Sequence, residues 1–253
     1  MFRPCIDLHE GKVKQIVGGT LSAGDLRTNF VSDRSAAWYG ELYKMGGLKG
    51  GHVIMLGPGN ELAAKEALAA YPGGLQIGGG INADNAQGWL DAGASHVIVT
   101  SWVFREARVD RTRLAELVKT VGKRRLVLDL SCRKRANEYV VVTDGWKNFT
   151  DTILSGNTLR DFANSCAEFL VHAVDVEGLC QGVDMTLVEK LGEWSSIPVT
   201  YAGGARSIED LESVDLAGKG RVDLSIGSAL DIFGGTGVRY ADAVAFNRRK
   251  RQT

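Results

Sequence analysis

Residues 74–82 read GLQIGGGIN, and residues 197–206 read IPVTYAGGAR. Each runs a short apolar strand into a glycine cluster, and the segments downstream of the two clusters match as well. From 74 to 104 the order is strand, Gly-rich turn, helix, AGA, strand, then TSWVF. From 197 to 233 it is strand, Gly-rich turn, helix, AGKG, strand, then GSALDIF. Gly80 and Ser101 stand 21 positions apart, and Gly204 and Ser228 stand 24 apart. One β-Gly-Gly-α-β-Ser unit is therefore used twice.

Apolar runs continue outward from these units. Strands are predicted near 3–8, 52–56, 74–78, 96–100, 125–130, 169–175, 197–201 and 221–226. Their near-continuous apolarity suits strands buried on both faces of a parallel sheet. Segments with apolar residues at three-to-four spacing lie between them and predict helices over 32–46, 61–70, 82–92, 109–121, 157–166, 184–194 and 206–216. Asn82 and Ser207 are the candidate N-caps of two of these. Extra hairpins are expected at 12–17 and 138–143. Eight strands with intervening helices in 253 residues predict an α/β fold, a (β/α)8 TIM barrel of two matched halves, with residues 1–253 as one domain. An open doubly wound sheet would need fewer strands or a second domain.

Bulk composition narrows the function. Thirty basic residues balance thirty acidic ones, and 44% of the chain is hydrophobic. That balance argues against nucleic acid as a partner, and the basic tail NRRKRQT reads as a solvated end. No apolar run approaches the ~20 residues of a membrane span, so no membrane role is expected. Cys5, Cys132, Cys166 and Cys180 form no C-x-x-C pair and read as reduced thiols. A cytoplasmic protein is expected, or a plastid one if a transit peptide was removed. Neither a metal-ligand spacing nor a dinucleotide fingerprint is present, so neither metal nor cofactor is expected.

The repeat points to anions. Glycines at strand ends admit a ligand close to the backbone, and helix N-termini and a small hydroxyl residue add donors. Two such cradles in opposite halves predict a small-molecule substrate with a phosphate at each end. The same half-to-half shift relates Asp7 at the end of strand 1 to Asp129 at the end of strand 5, 122 positions on. Both acids close apolar runs, where burial alone disfavours charge. Two carboxylates facing each other across a barrel mouth suit proton removal by one and donation by the other. Asp175 ends strand 6 and is a second-rank candidate. His9 could reach the mouth, and His172 could form its wall. His52 and His96 begin strands and are assigned to the far end of the barrel. Trp146, after the 138–143 hairpin, could stack on a flat ligand ring from a lid.

The stretches FRPCIDLHEGKVKQIVGG, YPGGLQIGGGIN, LVLDLSCR, FLVHAVDVEGLCQG, VTYAGGA and GSALDIFGG resemble the eukaryotic-type ProFAR isomerases of histidine biosynthesis, from about residue 2 to residue 247. The resemblance implies an Amadori rearrangement of a bis-phosphorylated ribotide, aminoaldose to aminoketose; a monomer is expected. The resemblance also implies Asp7 as general base and Asp129 as general acid. Gly19, Gly79, Gly80 and Ser101 would serve the substrate and one phosphate, and Gly203, Gly204, Gly227 and Ser228 the other. Bacterial forms have a Thr after strand 6 that assists the acid. The matching place is Ala173, flanked by His172, so His172 or Asp175 is expected to substitute. Asn82 stands where bacterial forms often have an arginine, which leaves more of that phosphate to backbone N–H groups. The competing readings are the paralogous cyclase, an isomerase that also serves tryptophan synthesis, and a phosphosugar sensor.

Overall fold

The alternation of apolar strands and amphipathic segments closes into a barrel. In the computed structural model, which describes residues 1–17 and 27–252, eight parallel strands form a ring. They are β1 (Phe2–His9), β2 (Gly51–Met55), β3 (Leu75–Gly78), β4 (His96–Val99), β5 (Leu126–Asp129), β6 (Glu168–His172), β7 (Val199–Ala202) and β8 (Val222–Ile226). Each pairs with the next, and β8 returns to β1 through Phe2↔Leu224, Arg3↔Ser225 and Pro4↔Ile226. The expected TIM barrel is the observed fold.

Eight helices surround the ring: α1 (Ala36–Met45), α2 (Glu61–Ala70), α3 (Ala86–Asp91), α4 (Arg111–Val121), α5 (Gly156–Phe162), α6 (Met185–Trp194), α7 (Ile208–Ala217) and α8 (Tyr240–Lys250). Ser35, Asp110, Ser155 and Asp184 cap four of them, each side chain accepting from an N–H in the first turn. The tail reads as a solvated end, but α8 occupies most of it. Val244, Phe246 and Asn247 of α8 are buried, and only the last basic residues remain outside.

Strand alternation sorts the side chains. Ile6 and Leu8 of β1, and Phe169 and Val171 of β6, face the helices and join the large core. Inward, a small apolar layer of Ile98, Val127, Leu170 and Ala202 crosses the lumen, with Ile54 against it. Below this layer is a polar floor. The buried Glu168 accepts from Gln76 Nε2 at 3.0 Å and from Thr200 Oγ1 at 2.8 Å. Above it lies the mouth, where the inward positions at the strands' C-terminal ends become functional.

The hairpins are larger than expected. Lys12–Ile16 pairs antiparallel with Thr28–Val31 after β1. After β5, Cys132–Arg135, Glu138–Thr143 and Asn148–Ile153 form a three-stranded meander. No helix among the described residues is long and apolar enough to cross a membrane.

Candidate active site

Asp7 is the third inward residue of β1, after Arg3 and Cys5. It accepts from Gln15 Nε2 at 3.2 Å. Burial, and then the like charge of Glu177, raise its carboxyl to about 7, against the opposing pull of His172 and the Gln15 bond. Asp129 ends β5 and is 9% exposed. One of its oxygens accepts from the Ser131 N–H and Oγ, both at 2.8 Å, and the other from Thr100 Oγ1 at 3.1 Å. Burial works against its charge, but His172, Ser131 and Thr100 outweigh it and hold the carboxyl below the ordinary range.

His172 ends β6 with Nδ1 3.6 Å from Asp129 Oδ1, an ion-pair distance longer than a hydrogen bond. Burial alone would discharge the ring. The Asp129 charge overcomes this, with help from Glu177 and Asp7, and lifts it to about 9. The imidazole is therefore cationic at neutral pH, between carboxylates.

Two cavities meet here. A wide chamber of about 660 Å³ is lined by Asp7, Asp129, Gly79, Gly80, Ser101 and Trp146, among others. A slot of about 30 Å³ runs the other way, past Gly203, Gly204, Gly227 and Ser228. Asp7, His172 and Glu177 line both. The two glycine units thus lie at opposite ends of one passage, with acids and an imidazolium at its waist.

The glycines differ in why they are glycine. A Cβ on Gly79 would stand 2.1 Å from the Met55 carbonyl oxygen, and one on Gly204 2.1 Å from that of Gly182. Both have positive φ, so packing of the protein's own backbone already requires them. Of the expected site glycines that are described, only Gly80 would point a Cβ into open space, and there a ligand can approach. The N–H groups of Gly80, Ile81, Gly204, Ala205 and Ser228 meet no acceptor among the described residues. The helix contribution is unequal. α7 starts at Ile208, close behind Gly204, as expected from Ser207. α3 is regular only from Ala86, after one turn that Asn82 caps: its Oδ1 accepts from the Asp84 and Asn85 N–H groups, and Asn85 Oδ1 accepts from the Asn82 N–H.

Both rim serines are held by loops. Ser101 Oγ accepts from the Asp144 N–H at 2.9 Å, beyond the meander strand Glu138–Thr143. Ser228 Oγ accepts from Asn29 Nδ2 at 3.1 Å, in the hairpin after β1. Asp144, Gly145 and Trp146 all have positive φ, a strained tip of the kind found at functional sites. The Trp146 ring reaches to 5.9 Å from that of His172.

Other expectations fall elsewhere. β6 ends at His172, and Asp175 lies in the following turn, accepting from Arg133 Nε and the Lys134 N–H. It ties down the meander and lines neither cavity. His9 contacts Lys14 Nζ at 3.0 Å and also lines neither. Ala173 offers no polar side chain beside Asp129; His172 does. His52 is not confined to the far end of the barrel, where its place at the start of a strand assigns it. It pairs in register with Cys5 and reaches the slot from below, because inward positions of neighbouring strands converge. Gly19 lies outside the described residues. Nothing in the sequence marks Glu177: the turn VDVEG carries it back over β1, where its Oε2 is buried with no hydrogen-bond partner among the described residues and burial raises its carboxyl.

Comparison with known proteins agrees with this geometry. A family model described as histidine biosynthesis protein matches residues 1–235. The chain is 56% identical to the chloroplastic 1-(5-phosphoribosyl)-5-((5-phosphoribosylamino)methylideneamino)imidazole-4-carboxamide isomerase of Medicago truncatula, over 99% of this chain and 82% of that protein. It is 52% identical to the isomerase of the same name from Yarrowia lipolytica, over 98% of each chain. With that from Neurospora crassa it shares 51% identity over 98% of this chain and 99% of the other.

Proposed function

The chain belongs to the histidine biosynthesis protein family, and from that premise we propose that it is an isomerase converting an aminoaldose ribotide with two phosphates into the aminoketose by an Amadori rearrangement. The observation that carries the reading is the waist: Asp7, His172 and Glu177 line two cavities that end in matched glycine–serine rims. A ligand anchored by a phosphate at each end suspends its reacting sugar between these groups.

The chemistry needs a proton delivered to the ribose ring oxygen, which opens the ring to an imine. A base then removes the proton from C2. The enaminol so formed becomes the ketone as a proton returns to C1, so C2 is oxidised and C1 reduced within one molecule. Asp7, raised to about 7, is a base matched to neutral pH. Asp129 with His172 supplies the acid. In the free protein the proton resides on His172 and Asp129 holds the imidazolium in place, so the pair is the donor and Asp175 has no part in it. The wide chamber, with Trp146 at its edge, suits the flat aminoimidazole. The second phosphate is assigned to the open Gly203, Gly204, Gly227 and Ser228 rim of the slot, since the slot itself, at about 30 Å³, is too small for a sugar. Every group named comes from one chain, and a monomeric enzyme of one domain is part of the same proposal.

The test is incubation with the aminoaldose ribotide while ketose formation is followed by absorbance. Conversion is expected, with kcat lowered about 10³-fold by either Asp7→Asn or Asp129→Asn. No conversion, or turnover indifferent to Asp7→Asn, would sink the reading.

A further inference from the structure

Beneath the waist the lumen holds ligand atoms that the isomerase chemistry does not use. Cys5 points inward two positions below Asp7, and His52 is its register partner on β2. Cys5 Sγ, an Asp7 carboxylate oxygen and a ring nitrogen of His52 lie within 4.8 Å of one another. Cys5 and His52 are only 4% and 3% exposed, yet all three residues line the slot. An ion entering by the mouth can reach them. We infer that Cys5, Asp7 and His52 form a binding site for a borderline-soft divalent cation, zinc(II) above all, and that its occupation inhibits the enzyme by capturing Asp7.

The donor set selects the ion. One sulfur, one imidazole nitrogen and one carboxylate oxygen match zinc(II) or cobalt(II), whereas magnesium and calcium take oxygen ligands. Tetrahedral zinc bonds of ~2.0–2.3 Å place ligand atoms about 3.5 Å apart, so side-chain rotation of roughly an ångström closes the triad around an ion. The carriers are adjacent barrel strands, which fix the spacing.

The present contacts of these groups are weak. Cys5 Sγ is 3.8 Å from the Ile226 carbonyl and 3.7 Å from Gln15 Nε2, and no hydrogen bond from a described residue holds the His52 ring. On binding, Cys5 releases its thiol proton to solvent and its thiolate bonds the metal. The slot leaves a fourth position for water or for Gln15, whose amide, turned by half a rotation, presents its oxygen.

Whole protein would be titrated with cobalt(II) and zinc(II). The expected result is a thiolate-to-cobalt charge-transfer band that saturates at one equivalent and is displaced by zinc. Zinc should inhibit competitively with substrate, and magnesium should do neither. Cys5→Ser should abolish the band. Cys5→Ser and His52→Gln should each weaken zinc inhibition about tenfold or more, measured against each variant's own uninhibited rate. No band in the wild-type protein, or zinc inhibition unchanged in the variants, overturns the inference. If Cys5→Ser does not fold, His52→Gln alone decides. The band and calorimetric zinc binding need no turnover, so an absent isomerase activity would leave this result standing.

Discussion

Asp7 and Asp129 are both buried carboxylates at strand ends, yet their neighbours push them in opposite directions. Asp7 has a like charge nearby in Glu177 and, among the described residues, one hydrogen-bond donor, and it rises to about 7. Asp129 has three donor groups and a cation, and it falls. The base must be ionised, so kcat/KM should rise as pH climbs through about 7. The acid pair must keep its proton, so kcat/KM should fall again through about 9, where His172 titrates. A pH–rate profile flat from 6 to 10 would contradict both assignments. Glu177→Gln removes the like charge but leaves the burial. The acidic limb should therefore move down only part of the way towards the ordinary Asp range near 3.9, and the same profile measures it. In Asp129→Asn the His172 ring loses its counter-charge, and its pKa, followed by NMR, should drop from about 9 towards or below 6.5. The two aspartates are legible in the sequence because a charged residue closing an apolar run is conspicuous. Glu177 is not: it sits in a polar turn, and only the return of that turn over β1 gives it a role. Cys5 and His52 are hidden for the same reason, since 47 positions separate them and register alone joins them.

The loops after β1 and β5 repeat the half-barrel relation of the strands themselves. One hands Asn29 to Ser228 and the other hands the Asp144 N–H to Ser101. A hydroxyl that accepts from a loop keeps its own proton free to donate to a phosphate oxygen. Each loop thus aims its serine. Ser228→Ala and Ser101→Ala should each cost about 1.5–3 kcal/mol of phosphate binding, a rise of roughly tenfold or more in KM with kcat little changed. Asn29→Ala, which loses the aim and the bond from Asn29 Nδ2 to the Gly178 carbonyl but no phosphate contact, should raise KM less than Ser228→Ala does. Steady-state kinetics separate the cases, and equal effects of Asn29→Ala and Ser228→Ala would make Asn29 a direct ligand. The strands and most helices are legible from apolar period and caps. The cap at Asn82 is legible too, but the regular part of α3 begins one turn later, at Ala86. The sequence does not distinguish a glycine needed by ligand from one needed by neighbouring backbone. Gly79 and Gly204 are of the second kind, which is why the serines are the cleaner probes.

Ring closure is the property that no single segment contains. The count of strands and the doubled unit imply it, and the β8–β1 pairing provides it. The seam is held from both sides. Inside, Asp223 of β8 accepts from Arg3 Nε at 2.7 Å and from the Met1 ammonium at 2.6 Å. Outside, Asn247 of α8 is 3% exposed. Its Oδ1 accepts from the Phe2 N–H at 2.7 Å, and its Nδ2 donates to the Phe2 carbonyl at 2.8 Å. One amide side chain therefore serves the first strand as a neighbouring strand would. The charge run after it obscures this in the sequence, since NRRKRQT reads as solvated while its asparagine is buried. Asn247→Ala strands a buried donor and a buried acceptor together, at ~1–3 kcal/mol for an unmade bond. Unfolding free energy should fall by about 2–4 kcal/mol. For a chain of this size that lowers Tm by roughly 4–16 °C. Because Asn247 lies outside the lumen, kcat well below the melting temperature should stay within about twofold of wild type, as expected of a surface-side packing change remote from the chemistry. Denaturant melts and kinetics on the same preparation test both halves. A loss under about 1 kcal/mol would mean that water replaces the amide and that the seam rests on Asp223 and the β8–β1 pairing alone.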